Sequence, residues 1–199
     1  MKIIFCLIFI SLIFISCTVK VTEHNPVDKV VYDEKYSYSD LQVLSDAMVQ
    51  SLITSDKIVK RLDQPVIIVY GIINRTSEHI DTKGITDTIR TKLLKTGKFR
   101  FINETQRENI EKEIAYQYQS GNVDPNLRIE KAKQVGAEYM LTGRLMSIEK
   151  AQPKQVRLKK KNLVYYKLTM ELTNLTTSLI EWSEEYEIIR EASKPFIGW

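Results

Sequence analysis

Val164-Tyr165-Tyr166-Lys167-Leu168-Thr169-Met170-Glu171-Leu172 is the stretch whose pattern decides the fold. Side chains alternate across an extended chain, so Val164, Tyr166, Leu168, Met170 and Leu172 share one apolar face. Tyr165, Lys167, Thr169 and Glu171 take the other. Downstream, Asn174–Ser178 reads as a turn, and Ile180, Trp182, Tyr186 and Ile188 share a face of a last strand. Upstream, Tyr139, Leu141 and Leu145 alternate with Met140, Thr142 and Arg144. The carboxyl-terminal third is therefore a meander of strands with one face turned to a core.

The residues before it read mostly as helices. Ser39 and Gln42 form a capping box, followed by Leu41, Leu44, Met48 and Leu52 at three- and four-residue spacing, a helix expected to run to about Val59. Pro65 opens a strand at Val66–Tyr70, an apolar run suited to burial on both faces, and Asn74–Ser77 leaves it as a loop. A second helix starts near Asp81 or Thr82, carries Ile85, Ile89 and Leu93, and stops at Gly97. Phe99–Ile102 is a short strand. Asn103 with Gln106 begins a third helix, through Ile110 and Ile114. Asp124 and Pro125 begin a fourth, through Leu127, Ala132 and Val135, closed by Gly136. Helices followed by a strand meander give an α+β single domain.

The amino terminus sets the compartment. Lys2 is followed by an apolar run from Ile3 to Ile15, the length of a secretory signal and too short for a membrane-spanning helix. Phe14-Ile15-Ser16-Cys17 resembles a bacterial lipobox, in which cleavage leaves a lipid-modified cysteine. The expected organisation is a signal peptide over 1–16, a lipidated tether over 17–38 and a globular domain over 39–199. Several acyl chains on Cys17 would hold the protein on a membrane stably, as one chain does not. Exported and tethered, the protein has no nucleic acid to bind.

Composition narrows the chemistry. With 43% hydrophobic and 27% charged residues the chain is globular, and its formal charge is only +4. Two cysteines and two histidines exclude a zinc ribbon, an iron–sulfur site and a disulfide scaffold. His24 falls in the tether and His79 in a loop. Gly97-Lys98 lacks the flanking residues of a phosphate loop. No pair of acids or nucleophile with a base can be nominated. The residues thus predict a non-enzyme with no metal and no cofactor.

One charge feature stands out. Lys150, Lys154, Arg157, Lys159, Lys160, Lys161 and Lys167 lie in an interval with no acid. It joins two strands, so an extended basic hairpin is expected. It is open to three readings: a solvated tip, a dock for an acidic protein, or a dock for anionic headgroups or wall polymer. Glu181, Glu184, Glu185, Glu187 and Glu191 on the last strand are poised to balance part of this charge. Tyr165, outward on its strand, would extend the same surface. Arg157, Lys159, Lys160, Lys161, Tyr165 and Lys167 are the partner-binding residues expected here.

Four blocks carry a family resemblance. They are Asn74–Thr82, Leu93-Leu94-Lys95-Thr96-Gly97-Lys98-Phe99-Arg100-Phe101, Val135-Gly136-Ala137-Glu138-Tyr139-Met140-Leu141-Thr142-Gly143, and Tyr165–Leu172 with Ile180-Glu181-Trp182-Ser183. In this order and spacing, over residues 62–199, they resemble the LpoB family of outer-membrane lipoproteins. The resemblance implies a four-stranded, largely antiparallel sheet flanked by about four helices, similar to the amino-terminal domain of TolB. It also implies a periplasm-facing monomer that binds the accessory domain of a class A penicillin-binding protein and stimulates glycan polymerisation and cross-linking. The Gly136–Gly143 block alone also resembles the CsgG-type secretion lipoproteins, and so implies an export channel or scaffold as the alternative. The interval Lys150–Lys161 is too short and too basic for pore-forming strands.

Overall fold

Nine uncharged residues in a row, Val66 to Asn74, form the strand around which the rest is built. The computed structural model describes residues 33–130, 134–151 and 159–195. Helix α1 (Tyr38–Thr54) and the short α2 (Asp56–Val59) precede strand β1 (Val66–Arg75). Helix α3 (Thr82–Lys95), strand β2 (Arg100–Phe101) and helix α4 (Arg107–Gln119) follow. The chain closes with β3 (Tyr139–Ala151), β4 (Lys159–Asn174) and β5 (Ile180–Pro195).

The sheet has five strands in the order β2-β1-β3-β4-β5, not four, and it is mixed. β1 runs parallel to β2 and β3, while β3–β4 and β4–β5 are antiparallel. The physical reason is connection length. Parallel neighbours need a crossover, which α3 provides from β1 to β2 and the α4 segment provides from β2 to β3. The meander needs only turns. At the β4–β5 turn, Asn174 Oδ1 accepts from the amides of Thr176 and Thr177 at 2.9 and 3.1 Å, and Ser178 takes φ 61°.

One face of the sheet holds the core. Leu44, Met48 and Leu52 of α1 and Ile85, Ile89 and Leu93 of α3 pack on Ile67, Val69, Leu141, Leu145, Leu168, Met170, Leu172 and Trp182. Each large aliphatic side chain withdrawn from water contributes roughly 1.5–3 kcal/mol. Gly143 lies at a close approach within the sheet, where a Cβ would meet Ile72 Cγ1 at 3.0 Å and the Thr169 carbonyl at 3.1 Å. Across the register break between Val69 and Gly71, Tyr70 is the extra residue and Gly71 has φ 86°. That bulge carries β1 on to Arg75, so Asn74 and Arg75 belong to the strand rather than to a loop.

Other expectations are corrected. The α1 capping box is Ser37 with Asp40, whose Oδ2 accepts from Ser37 N at 2.7 Å. Ser39 is buried within the first turn instead. The first helix breaks at Ser55, which is extended. Asp124 does cap Pro125–Leu127, accepting from Asn126 N, but only as a single 3₁₀ turn. Leu127 and Val135 are exposed, so no apolar stripe sustains a helix there, and Ala132 lies outside the described residues. Ile180 precedes the register break between Leu172 and Thr173 and is exposed, and Tyr186 is partly so. Tyr116, near the end of α4, is also exposed.

Asp33–Ser37, placed with the tether on sequence grounds, lie against the far end of β4 and β5. Glu34 Oε1 accepts from Asn162 Nδ2 at 3.1 Å, and the Tyr36 ring meets Tyr166 edge-on. Arg190 donates to the Lys35 carbonyl at 2.8 Å and forms an ion pair with Asp40, which is 3% exposed. Tyr166 Oη donates to Glu78. Burial, with Asp40 nearby, raises the Tyr36 phenol pKa, and burial with the Glu78 contact raises that of Tyr166. This set of contacts fixes where the chain enters the domain.

Candidate functional site

The sheet's other face, opposite α1 and α3, carries the surface of interest. Three rungs of the meander stand there side by side. Met146, Lys167 and Glu187 form one, Ile148, Tyr165 and Ile189 the next, and Lys150, Leu163 and Glu191 the third. Ile148 is 45% exposed and Ile189 63%. Between them, Met146, Ile148, Lys150, Leu163, Tyr165 and Lys167 line a shallow depression of about 350 Å³.

Several charges on this face are answered within the chain. Tyr165 Oη donates to Glu187 at 2.8 Å, and Lys167 pairs with Glu185 at 3.1 Å. Thr169 Oγ1 donates to Glu185 at 2.9 Å, and Lys161 pairs with Glu191 at 2.6 Å. The Glu187 carboxylate holds the Tyr165 phenol above its usual pKa. The Lys167 ammonium, with help from Thr169, holds Glu185 below the ordinary carboxylate range. Opposite charges across strands set the register at about 0.2–1 kcal/mol per pair. They leave a neutral ladder around an apolar centre, which is the chemistry of a protein-docking patch.

The residues expected from sequence divide here. Tyr165 sits in the apolar centre with Lys167 on the adjoining rung, and Lys161 lies two rungs away on the other side, beyond Leu163. Lys159 and Lys160 continue β4 to the end of the sheet. Arg157 and Cys17 lie outside the described residues. Ile148 and Ile189 were missed. Their signal was available in the neighbouring Ile188 and Ile189, since a strand must turn one of two adjacent isoleucines away from the core.

A second depression, about 570 Å³, lies along β1 between Tyr70–Ile73, α3 and Asn103–Gln106. Arg90 spans it, paired with Glu104 at 2.7 Å and Asp87 at 3.4 Å. His79 is an exposed loop residue. Among the described residues no group of three His, Cys, Asp or Glu side chains could hold a metal ion. No helix among them is long and apolar enough to cross a membrane.

A family model described as peptidoglycan-synthase activator LpoB matches residues 40–188. The chain belongs to the LpoB family. Two similar solved structures are the LpoB carboxyl-terminal domains of Salmonella enterica and Escherichia coli, at 21% and 20% identity. Each covers 75% of this chain and 98% of its own, with TM-scores of 0.47 and 0.45. The solution structure of E. coli LpoB is 18% identical over 88% of this chain and 83% of its own, with a TM-score of 0.44. A comparison with curated proteins gives no match. Membership of an activator family does not favour the export-channel alternative.

Proposed function

We propose that this LpoB-family protein is a lipid-anchored activator that docks on the accessory domain of a class A penicillin-binding protein. The reading is carried by the match to a peptidoglycan-synthase activator over residues 40–188. The neutral, apolar-centred face around Ile148, Tyr165 and Ile189 supplies a surface for the contact. Activation needs no chemistry from the chain itself. A bound protein shifts a synthase toward its active conformation only by binding that conformation more tightly, and the shift equals the difference in affinity. The protein then acts as a monomer, without metal or cofactor, from the periplasmic side of the outer membrane.

The direct test adds the purified protein, lacking residues 1–17, to a class A synthase and its lipid-linked substrate. Faster glycan polymerisation at a saturable protein concentration is the expected outcome. An unchanged rate, with no binding to the isolated accessory domain, rejects the reading. The anchor is tested separately, by metabolic labelling with a palmitate analogue. Wild type should be labelled and Cys17→Ser should not. Equal labelling of the two removes the lipoprotein assignment.

A further inference from the structure

The two edges of the sheet differ in how they are closed. An edge strand exposes a row of unpaired N–H and C=O groups, which short length, a bulge, proline or a covering segment ordinarily blocks. On one edge β2 is only two residues long, β1 is bulged at Tyr70, and the Ile72 amide donates to Thr86 Oγ1 of α3 at 3.2 Å. β5 is the other edge. From Trp182 to Lys194 it pairs with β4 without a register break, and it holds no glycine or proline there. Among the described residues no strand pairs with its outer side. The Glu185 amide donates instead to the neighbouring Glu184 carboxylate at 3.1 Å. Alternate residues of an antiparallel strand turn both backbone groups to the same side, so Glu187, Ile189 and Glu191 also point theirs outward.

We propose that the outer edge of β5, from Glu185 to Glu191, takes an added strand, and that this strand is an extended segment of the synthase's accessory domain. This rests on the reading of the chain as a synthase activator. A row of backbone groups is matched by another extended backbone, and the side chains beside it select the partner. What β5 already holds defines that partner. Lys167 and Lys161 answer Glu185 and Glu191, the Tyr165 hydroxyl leaves Glu187 its charge, and Ile189 is exposed. The fitting strand therefore carries an apolar side chain beside Ile189 and no acid beside Glu187. A second copy of this chain fits badly. Paired antiparallel about a two-fold axis centred anywhere from Glu185 to Ile189, it sets a glutamate of one copy directly opposite a glutamate of the other, which is unfavourable. An added strand also extends the rung of Ile148, Tyr165 and Ile189, so the apolar face and the open edge form one continuous contact.

Amide hydrogen exchange followed by NMR tests this on the protein lacking residues 1–17, which keeps every described residue. In the free protein the amides of Glu187, Ile189 and Glu191 should exchange faster than those of Ile188 and Arg190, which face β4. Adding the isolated accessory domain should slow the first three by about tenfold or more. Glu187→Pro and Glu187→Ala both lose the carboxylate, but only the first loses the amide. Proline is tolerated where an edge N–H faces solvent, so circular dichroism should show both variants folded. Glu187→Pro should then bind the accessory domain about tenfold more weakly than Glu187→Ala. Binding without the new protection, or equal affinity of the two variants, overturns the proposal and leaves the activator reading standing. Unfolding of Glu187→Pro alone places that amide in the β4 ladder and overturns it too. So does the same protection arising when the protein alone is concentrated, which marks a second copy as the occupant. A wild type that neither binds the accessory domain nor stimulates the synthase rejects the activator reading itself, and this proposal with it.

Discussion

Replacing Arg190 with methionine is expected to destabilise the domain by about 3–5 kcal/mol, the usual consequence of leaving one partner of a buried ion pair alone. Arg190 is 15% exposed and Asp40 3%. Without the guanidinium, the Asp40 carboxylate keeps only the Ser37 amide and hydroxyl at 2.7 and 3.0 Å, too little to replace water around a full charge. The Lys35 carbonyl also loses its donor. In urea the midpoint should fall while the slope stays constant, and the thermal midpoint should drop by about 10 °C. Adding Asp40→Asn should recover part of the loss, because no unpaired charge then remains. Arg190→Lys should recover little, since an ammonium cannot reach Asp40, Ser37 and the Lys35 carbonyl together. A loss below about 1 kcal/mol in Arg190→Met would show that the pair behaves as a solvent-exposed one.

How much of this was legible in the sequence depended on whether one residue type had one physical use. The alternation from Val164 to Leu172 could be read because a strand with one wet face admits no other register. Ile85, Ile89 and Leu93 were equally plain. The Ser37–Asp40 cap was displaced by two residues because Ser39 with Gln42 satisfies the same spacing, and only burial of Ser39 separates the two. Asp124-Pro125 was a true cap signal, yet a cap starts a turn and cannot extend it where Leu127 and Val135 have nothing to pack on. The parallel placement of β1 was illegible. Val66–Val69 is buried on both faces whichever strands flank it, so its partners were fixed by crossovers far off in sequence.

The candidate site was half legible for a related reason. Charge is conspicuous in a sequence, so the lysines of β4 were found and their pairing with β5 was anticipated. An exposed isoleucine looks like any buried one until its face is known. The structure changes the weight given to each group. Lys161 and Lys167 are engaged by Glu191 and Glu185, so they contribute little net field to steer a partner. Any affinity of this face for a protein therefore has to come from its apolar centre rather than from its lysines.

Substituting aspartate at both Ile148 and Ile189 is therefore expected to abolish stimulation of the synthase while leaving the domain folded. Interface energy concentrates in a few central residues, and truncating one such residue costs 2 kcal/mol or more, about 30-fold in Kd. Two carboxylates in that centre would be stranded against a partner's apolar surface and would also face Glu187 and Glu191. Both isoleucines are already wet, so the thermal midpoint should move little. Tyr165→Phe removes only the hydrogen bond to Glu187 and should bind within a fewfold of wild type. Tyr165→Ala removes the ring and should weaken binding about tenfold or more. Association with the synthase should respond weakly to salt, because this face is neutral. Isothermal titration against the accessory domain and the polymerisation assay read both effects. If the double variant binds and activates as wild type does, the contact lies elsewhere, and the exposed β1 residues Tyr70 and Ile73 are the next apolar surface to change.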